Sequence, residues 1–145
     1  MQLKSVSIVE VERVAHALAR ELMTWSEPIP DFGSRFPNVL ESCLAVPFQK
    51  FERKNLCKGL LQKAAVLFYL MIKNHPFENG NKRIAVTTLL YFLVKNKKWI
   101  DVDNQSLYNF AVWVAESPAI GKGGTVTAIE SFLKSHLVLF DADRD

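Results

Sequence analysis

The stretch His75-Pro76-Phe77-Glu78-Asn79-Gly80-Asn81-Lys82-Arg83 decides how this 145-residue chain folds. It separates two segments, residues 64–72 and 84–94, that are apolar on nearly every face. Helices without a polar face are typical of the centre of a core. The pattern therefore predicts a central helix pair joined by a polar loop. A connection with a purely structural role would usually be short and would have few charged or titratable residues.

The end of this loop has the properties of a phosphate-binding site. The first turn of a helix carries N–H groups without intrahelical partners and the positive end of the helix dipole. Gly80 allows a ligand to approach the backbone closely. Lys82 and Arg83 add positive charge, and a guanidinium can bond two phosphate oxygens at once. These residues together predict that the second helix begins at an anion site.

His75 precedes this helix start and is the candidate general base. An imidazole with an ordinary pKa near about 6.5 can remove a proton from an attacking hydroxyl at neutral pH. Pro76 stiffens the backbone after it, and Phe77 is expected to anchor the loop in the core. Taken singly, His75 could cap a helix, Gly80 could serve a turn and the two cations could be solvated. Their concentration within nine residues favours a site.

The rest of the chain predicts an all-α fold in a single domain, residues 1–145. Ser7 and Glu10 form a capping box that opens a first helix ending near residue 23. Turn-forming residues follow at 27–33, with a possible short β-hairpin near 31–38. The further predicted helices are 39–45, Gly59–Lys73, 82 or 83 to 95, and 106–116, and a last helix is expected from a second capping box at 127–130 to about 139, after a break at 117–124.

Composition places the chain among ordinary globular proteins and gives the middle a positive charge. Residues 50–98 contain eleven Lys and Arg against two acids, a net charge of +9, while the remainder carries −6. This asymmetry is compatible either with a solvated basic face or with an anionic partner. The longest uncharged apolar run, 84–94, is too short to cross a bilayer. With no signal pattern and only Cys43 and Cys57, expected as free thiols, a cytoplasmic location without membrane contact is expected.

The loop closely resembles the Fic/Doc family signature H-P-F-x-[DE]-[GA]-N-[GK]-R, matching eight of its nine positions. The resemblance extends to the flanking helices and, upstream, to a segment similar to the family's flap, with Gly33, Ser34 and Arg35. Such proteins are compact helical bundles that use ATP or a related nucleotide to modify a protein hydroxyl. The resemblance implies that His75 is the base, that Gly80, Asn81, Lys82 and Arg83 form the anion cradle, and that the flap around 33–37 aligns the target as an added strand.

Two positions resemble the death-on-curing branch of this family. Lys82 replaces the glycine usual in the adenylylating branch, and Val86 stands where that branch has a second arginine. The death-on-curing branch is associated with phosphoryl transfer to a translation elongation factor, by the toxin of a toxin–antitoxin pair. The resemblance thus implies a phosphotransferase with a protein target and an antitoxin partner. Nucleotidyl transfer, of AMP to a protein hydroxyl, is the second enzymatic possibility.

Asn79 departs from the family pattern, since an acid that holds Mg²⁺ is expected there. An amide oxygen can bind Mg²⁺ but lacks the charge that this cation favours, and Glu78 is one residue out of register. A catalytically weakened module that binds nucleotide or protein is therefore a third possibility. Nucleic-acid binding is not expected, because no helix-turn-helix or aromatic stacking platform is visible. The family's inhibitory pattern [ST]-x-x-x-E-[GN] has no match from Ser5 to Ser135, which favours restraint by a separate antitoxin.

Overall fold

Two long helices form the centre of the structure, a computed structural model that describes residues 2–21 and 28–140. Helix α4 spans Gly59–Lys73 and helix α5 spans Asn81–Lys95. They pack against each other, and most of their apolar side chains are buried. The predicted central helix pair is thus confirmed, and the bounds predicted for α4 are those observed.

The N-terminal helix packs against α5 and is wound in an unusual way. It consists of α1 (Ile8–Glu10), a π-helical segment (Val11–His16) and α2 (Ala17–Glu21). The predicted capping box is present, because Ser7 Oγ accepts from the Glu10 N–H and Glu10 Oε1 accepts from the Ser7 N–H. The predicted end near residue 23 lies outside the described residues. A π turn shifts the hydrogen-bonding pattern of the backbone, and Thr87 Oγ1 of α5 donates to the Ala15 carbonyl at 2.7 Å.

The segment before the central pair corrects the predicted position of the hairpin. Residues Phe32–Ser34 form a single 3-10 turn, and helix α3 begins directly afterwards, at Pro37–Ala45. Ser34 N–H donates to the Asp31 carbonyl, so this backbone bonds to itself rather than to a second strand. After a further 3-10 turn, Val46–Phe48, a short antiparallel hairpin is formed instead by β1 (Lys50–Phe51) and β2 (Lys54–Asn55).

The C-terminal part adds two helices and a second small sheet. Helix α6 spans Asn104–Glu116 and is capped by the Asp103 carboxylate, which accepts from the Ser106 N–H. Helix α7 spans Lys122–His136, so the predicted start at Thr127 is wrong. Thr127 Oγ1 donates to the Gly123 carbonyl inside the helix. The predicted end is also too late, because β4 (Leu137–Leu139) pairs antiparallel with β3 (Lys98–Ile100).

The described residues contain only these two small sheets, and the all-α prediction is confirmed. Helix α7 packs on α4, and α6 packs on α5, so the central pair is covered by the N-terminal helix and by the last two helices. Cys43 and Cys57 are both free and buried. None of the helices in the described ranges combines the length and the apolar character needed to cross a membrane.

Candidate functional site

The loop between α4 and α5 has a residue in the left-handed backbone conformation near each of its ends. His75 has a φ of 52° and Gly80 a φ of 73°. The left-handed region is costly for a residue with a side chain, and such residues cluster at functional sites. Gly80 is also enclosed, since a Cβ there would lie 2.5 Å from Ile29 Cδ1 and 3.1 Å from the Pro28 carbonyl oxygen. The close approach that glycine permits is therefore to the chain's own segment 28–29.

Asn81 holds the loop closed from the first position of α5. Its Oδ1 accepts from the Phe77 N–H at 3.0 Å, and its Nδ2 donates to the Phe77 carbonyl at 2.8 Å. Both bonds are buried, where an unmade bond would leave a costly unsatisfied group. These two bonds also fix the orientation of the amide, so that Nδ2 faces His75 Nδ1 at 3.4 Å. Asn81 therefore sets the shape of the loop and contacts the candidate base.

This contact indicates which nitrogen of His75 accepts a hydrogen bond. An amide nitrogen only donates, so a hydrogen bond from Asn81 requires an unprotonated Nδ1. The neutral ring then carries its proton on Nε2. At 3.4 Å the bond is long and weak, so another donor can replace Asn81 at Nδ1. His75 as a whole is exposed.

The side chain of Phe77, in the middle of the loop, is buried in the core. It is 1% exposed, and its ring centroid lies 5.9 Å from those of His16 and Phe32. His16, to which sequence patterns assign no role, is buried as well, and its Nε2 lies 2.7 Å from the Pro30 carbonyl oxygen. The loop thus rests on a cluster that joins the N-terminal helix to the segment before α3. Only its burial in the fold distinguishes His16 from an ordinary helical histidine.

A cavity of about 160 Å³ opens where the loop meets α5. It brings together four of the predicted site residues, and Glu78 with them. Its volume suits phosphate groups rather than a whole nucleotide, which usually needs a larger cleft. The base and ribose of a bound nucleotide would extend beyond it. The residues that line the cavity are Ile72, His75, Glu78, Asn79, Asn81, Lys82 and Ala115.

The two cations that follow Asn81 point in different directions. Lys82 is half-buried and lines the cavity. Arg83 is 4% exposed and does not line it, and its guanidinium Nη2 donates to the Ala19 carbonyl of α2. Arg83 therefore joins α5 to the N-terminal helix in this structure. The cation brought to the cavity is Lys82, and the spacing of the sequence alone does not distinguish the two.

The oxygen donors at the cavity suit a metal ion that is already bound to a nucleotide. Glu78 offers a carboxylate and Asn79 an amide oxygen, and both side chains are exposed at the cavity wall. Mg²⁺ commonly takes one or two carboxylates and completes its shell with phosphates and water. Among the described residues no group of three or more His, Cys, Asp or Glu could hold a metal by itself. The donor set therefore fits Mg²⁺ only together with phosphates.

The segment with Gly33, Ser34 and Arg35 adjoins the loop but is turned rather than extended. Arg35 Nη1 donates to the Phe32 carbonyl at 3.3 Å, and its guanidinium lies 4.4 Å from the centre of the Phe32 ring. The next residue, Phe36, donates its N–H to the Pro76 carbonyl at 2.9 Å. The three predicted flap residues thus lie beside the site, although they do not form a strand to which a target could add.

A larger cleft of about 630 Å³ lies next to His16 and Phe32. Its wall includes the carboxylates of Glu12, Glu21 and Asp31, and Arg20 is paired with Asp31 at 3.2 Å. Such a wall repels phosphate. The smaller cavity at the loop, with Lys82 and the start of α5, is therefore the better candidate for a nucleotide-phosphate site.

Comparison with known proteins identifies a matching family. A family model described as the Fic/DOC family matches residues 9–93, from the N-terminal helix to the last turns of α5. The match includes the whole loop and all the residues that line the cavity except Ala115. No curated protein and no solved structure matches the chain.

Proposed function

The chain belongs to the Fic/DOC family, and on this premise we propose that it transfers the terminal phosphoryl group of ATP, or of a related nucleotide, to a protein hydroxyl. Membership in the family implies transfer of a nucleotide-derived group to a protein. The observation that carries the finer proposal is the cavity itself. His75, in a left-handed backbone conformation, and Lys82, in the first turn of α5, both line it.

In the proposed reaction the target hydroxyl replaces Asn81 as the donor to His75 Nδ1. His75 takes the proton while the hydroxyl oxygen forms a bond to the terminal phosphorus, and the bond from that phosphorus to the bridging oxygen breaks. The leaving group is the nucleoside diphosphate. Lys82 and the first N–H groups of α5 stabilise the charge on the transferred phosphoryl group. Bound Mg²⁺, held by Glu78, Asn79 and the phosphates, would neutralise phosphate charge.

The choice of phosphoryl over AMP transfer is supported by Lys82 and Val86. Lys82 brings a long cation to the cavity where the adenylylating branch has glycine, so it would bind the end of the phosphate chain and favour attack there. Position 86 of α5 is a valine and not a second arginine, so that cation is missing from the phosphates. The valine is completely buried. We propose on the same grounds that the chain acts as a toxin on a translation factor and is restrained by an antitoxin.

The experiment that tests this proposal compares two labels of ATP. The purified chain is incubated with cell lysate and ATP labelled at either the γ- or the α-phosphate. Label transferred from the γ-position alone means phosphorylation, and label from the α-position means AMP transfer. If neither label is transferred while nucleotide still binds, a binding module is the better assignment, as the amide at position 79 would favour.

The role of His75 is tested by His75→Ala in the same assay. Loss of a general base typically lowers a rate by about 10²–10⁴-fold, and the fold should persist because His75 is exposed. His16→Ala is not a suitable control, since His16 is buried. The control is His136→Ala, whose side chain lies on α7 and bonds the Phe132 carbonyl. An unchanged rate for His75→Ala would remove this residue from the mechanism.

A further inference from the structure

The hairpin β1–β2 is exposed on both faces. All eight residues from 49 to 56 are exposed, including Phe51 at 66% and Leu56 at 56%. An uncovered two-stranded hairpin is marginally stable in water. Large apolar side chains on such an element, surrounded by polar residues, are typical of an interaction site. The hairpin therefore has the exposure of a segment that a partner covers.

The strand register gathers the apolar side chains on one face. Phe51 is opposite Lys54, Lys50 is opposite Asn55, and the Leu56 N–H donates to the Gln49 carbonyl. Because side chains alternate along a strand, Phe51, Lys54 and Leu56 share a face. Lys50 and Asn55 share the other, which borders a cleft of about 290 Å³. One face thus combines two apolar side chains with a cation between them.

The hairpin is positively charged and firmly attached. Residues 50–58 contain four basic side chains and one acid. The Lys63 ammonium, which is only 4% exposed, donates to the Pro47 carbonyl at 3.2 Å and to the Cys57 carbonyl at 2.7 Å. These bonds join the two ends of the hairpin to α4. Because both ends of the hairpin are held in place, less entropy is lost when the hairpin binds a partner.

The turn of the hairpin consists of two charged residues in a backbone conformation that normally favours other residue types. Glu52 and Arg53 connect the strands with φ values of 51° and 69°. A two-residue turn with both residues at positive φ normally favours Asn-Gly. The tip carries one charge of each sign, Glu52 and Arg53, so the excess positive charge of the hairpin and its C-terminal flank comes from Lys50, Lys54 and Lys58.

We propose that this hairpin is a docking site for an acidic segment of the protein that the chain modifies. Phe51 and Leu56 would bury apolar side chains of that segment, while Lys54 and Arg53 would pair with its carboxylates. The identification of the partner as the target rests on the proposed function. Helix α4, which has 15 residues and is therefore about 22 Å long at about 1.5 Å per residue, lies in the chain between the hairpin and His75. Docking there leaves the cavity free for nucleotide and hydroxyl.

The pattern on this face fits protein better than nucleic acid. Single-stranded nucleic acid is typically held by aromatic rings on which successive bases stack. The face carries one ring, Phe51, and its other apolar residue is Leu56, which offers no stacking surface. Apolar residues flanked by cations are suited instead to a segment in which carboxylates alternate with aliphatic side chains.

The test is a binding measurement that needs neither nucleotide nor activity. A short labelled peptide of alternating Glu and Leu is titrated with the full chain and followed by fluorescence anisotropy. A peptide with Gln in place of Glu, and single-stranded DNA of similar length, are titrated in parallel. The acidic peptide should bind most tightly, and added salt should weaken its binding. Failure of the acidic peptide to bind, or tighter binding of the DNA, would overturn the proposal.

Matched variants locate the binding on the hairpin. Arg53→Glu/Lys54→Glu should weaken binding of the acidic peptide by about tenfold, since several surface charge pairs are lost or reversed. Phe51→Ser should weaken it by a similar factor without changing charge. Lys97→Glu/Lys134→Glu makes the same charge change at exposed positions elsewhere and should bind like wild type.

If the hairpin variants bind as tightly as that control, the proposal is wrong. His75→Ala should retain binding in full, so loss of transfer activity and loss of docking are separate results. If the wild-type chain binds the acidic peptide but transfers label from neither position of ATP, the proposed reaction is refuted and the docking surface is not.

Discussion

Asn79 is the residue at which this site departs from its family, and it lies on the cavity wall beside Glu78. We predict that Asn79→Asp tightens Mg²⁺-dependent nucleotide binding and raises the rate of transfer, because a second carboxylate adds charge for a hard cation. Calorimetric titration of nucleotide with and without Mg²⁺ measures this effect. Glu78→Gln is the complementary variant and should weaken the Mg²⁺ dependence. Equal affinities for Asn and Asp at position 79 would mean that the metal is held elsewhere or is not used.

Glu10 makes the fold sensitive to acid. Its carboxylate accepts from Lys95 Nζ at 2.7 Å, from the Tyr91 hydroxyl at 2.5 Å and from the Ser7 N–H at 3.0 Å. Burial raises the pKa of Glu10, but the hydrogen bonds from Lys95, Tyr91 and Ser7 outweigh it and lower the pKa from 4.5 to about 2. A lowered pKa in the folded state stabilises the fold above the unfolded value and ceases to do so as the pH falls towards 2.

We therefore predict that Glu10→Gln lowers the free energy of unfolding at about pH 6 and that the difference from wild type shrinks below about pH 4.5. Denaturant titrations across this range measure it. Glu12→Gln is the control, since Glu12 is an exposed carboxylate on the same helix. A difference between wild type and Glu10→Gln that stays constant down to about pH 2 would contradict the lowered pKa.

Helix α5 carries both the site and the centre of the core. Leu89 is completely buried within it. Leu89→Ala should lower the free energy of unfolding by about 2–5 kcal/mol, as truncation of other buried leucines does. Chemical denaturation of the two proteins gives the value directly. Val138→Ala, on the half-exposed outer strand, is the matched truncation and should cost far less. A loss below about 0.5 kcal/mol for Leu89→Ala would show that α5 is peripheral.

At the scale of elements, local patterns predicted what local interactions determine. Helix α4 and the Ser7–Glu10 capping box follow from neighbouring residues and were predictable. The start of α7 at Lys122 was not, because Gly123 and Gly124 are poor helix formers and the helix is held by burial of residues such as Ile129 and Leu133 against the rest of the chain. The β3–β4 pairing joins residues 98–100 to 137–139, and no local pattern contains that contact.

The same distinction holds for the site. The motif predicted that His75 and Lys82 belong together, and both line the cavity. The inward turn of Arg83 depends on the carbonyl of Ala19, which is 64 residues away in the chain. The hairpin at 50–55 was missed because its turn, Glu52-Arg53, lacks the Asn or Gly that normally marks one.

At the scale of the whole molecule, the proposed toxin role requires a means of restraint. The family's internal inhibitor acts through an ion pair with a second motif arginine, and here Val86 occupies that position in the core. An inhibitor of that kind would find no ionic partner at this position. Restraint would then come from a segment of another chain that covers part of the surface.

We therefore predict that expression of the chain without neighbouring genes arrests growth, that His75→Ala abolishes the arrest, and that co-expression of a neighbouring gene relieves it. Growth curves at matched levels of folded protein are the measurement. The dependence on His75 separates toxicity by transfer from the burden of expression, because this exposed residue contributes little to the fold. If the Asn79→Asp variant arrests growth where wild type does not, the amide at position 79 already restrains the enzyme and no antitoxin is needed. Normal growth with the wild type and with Asn79→Asp, each folded and abundant, would contradict both the toxin role and the proposed antitoxin partner.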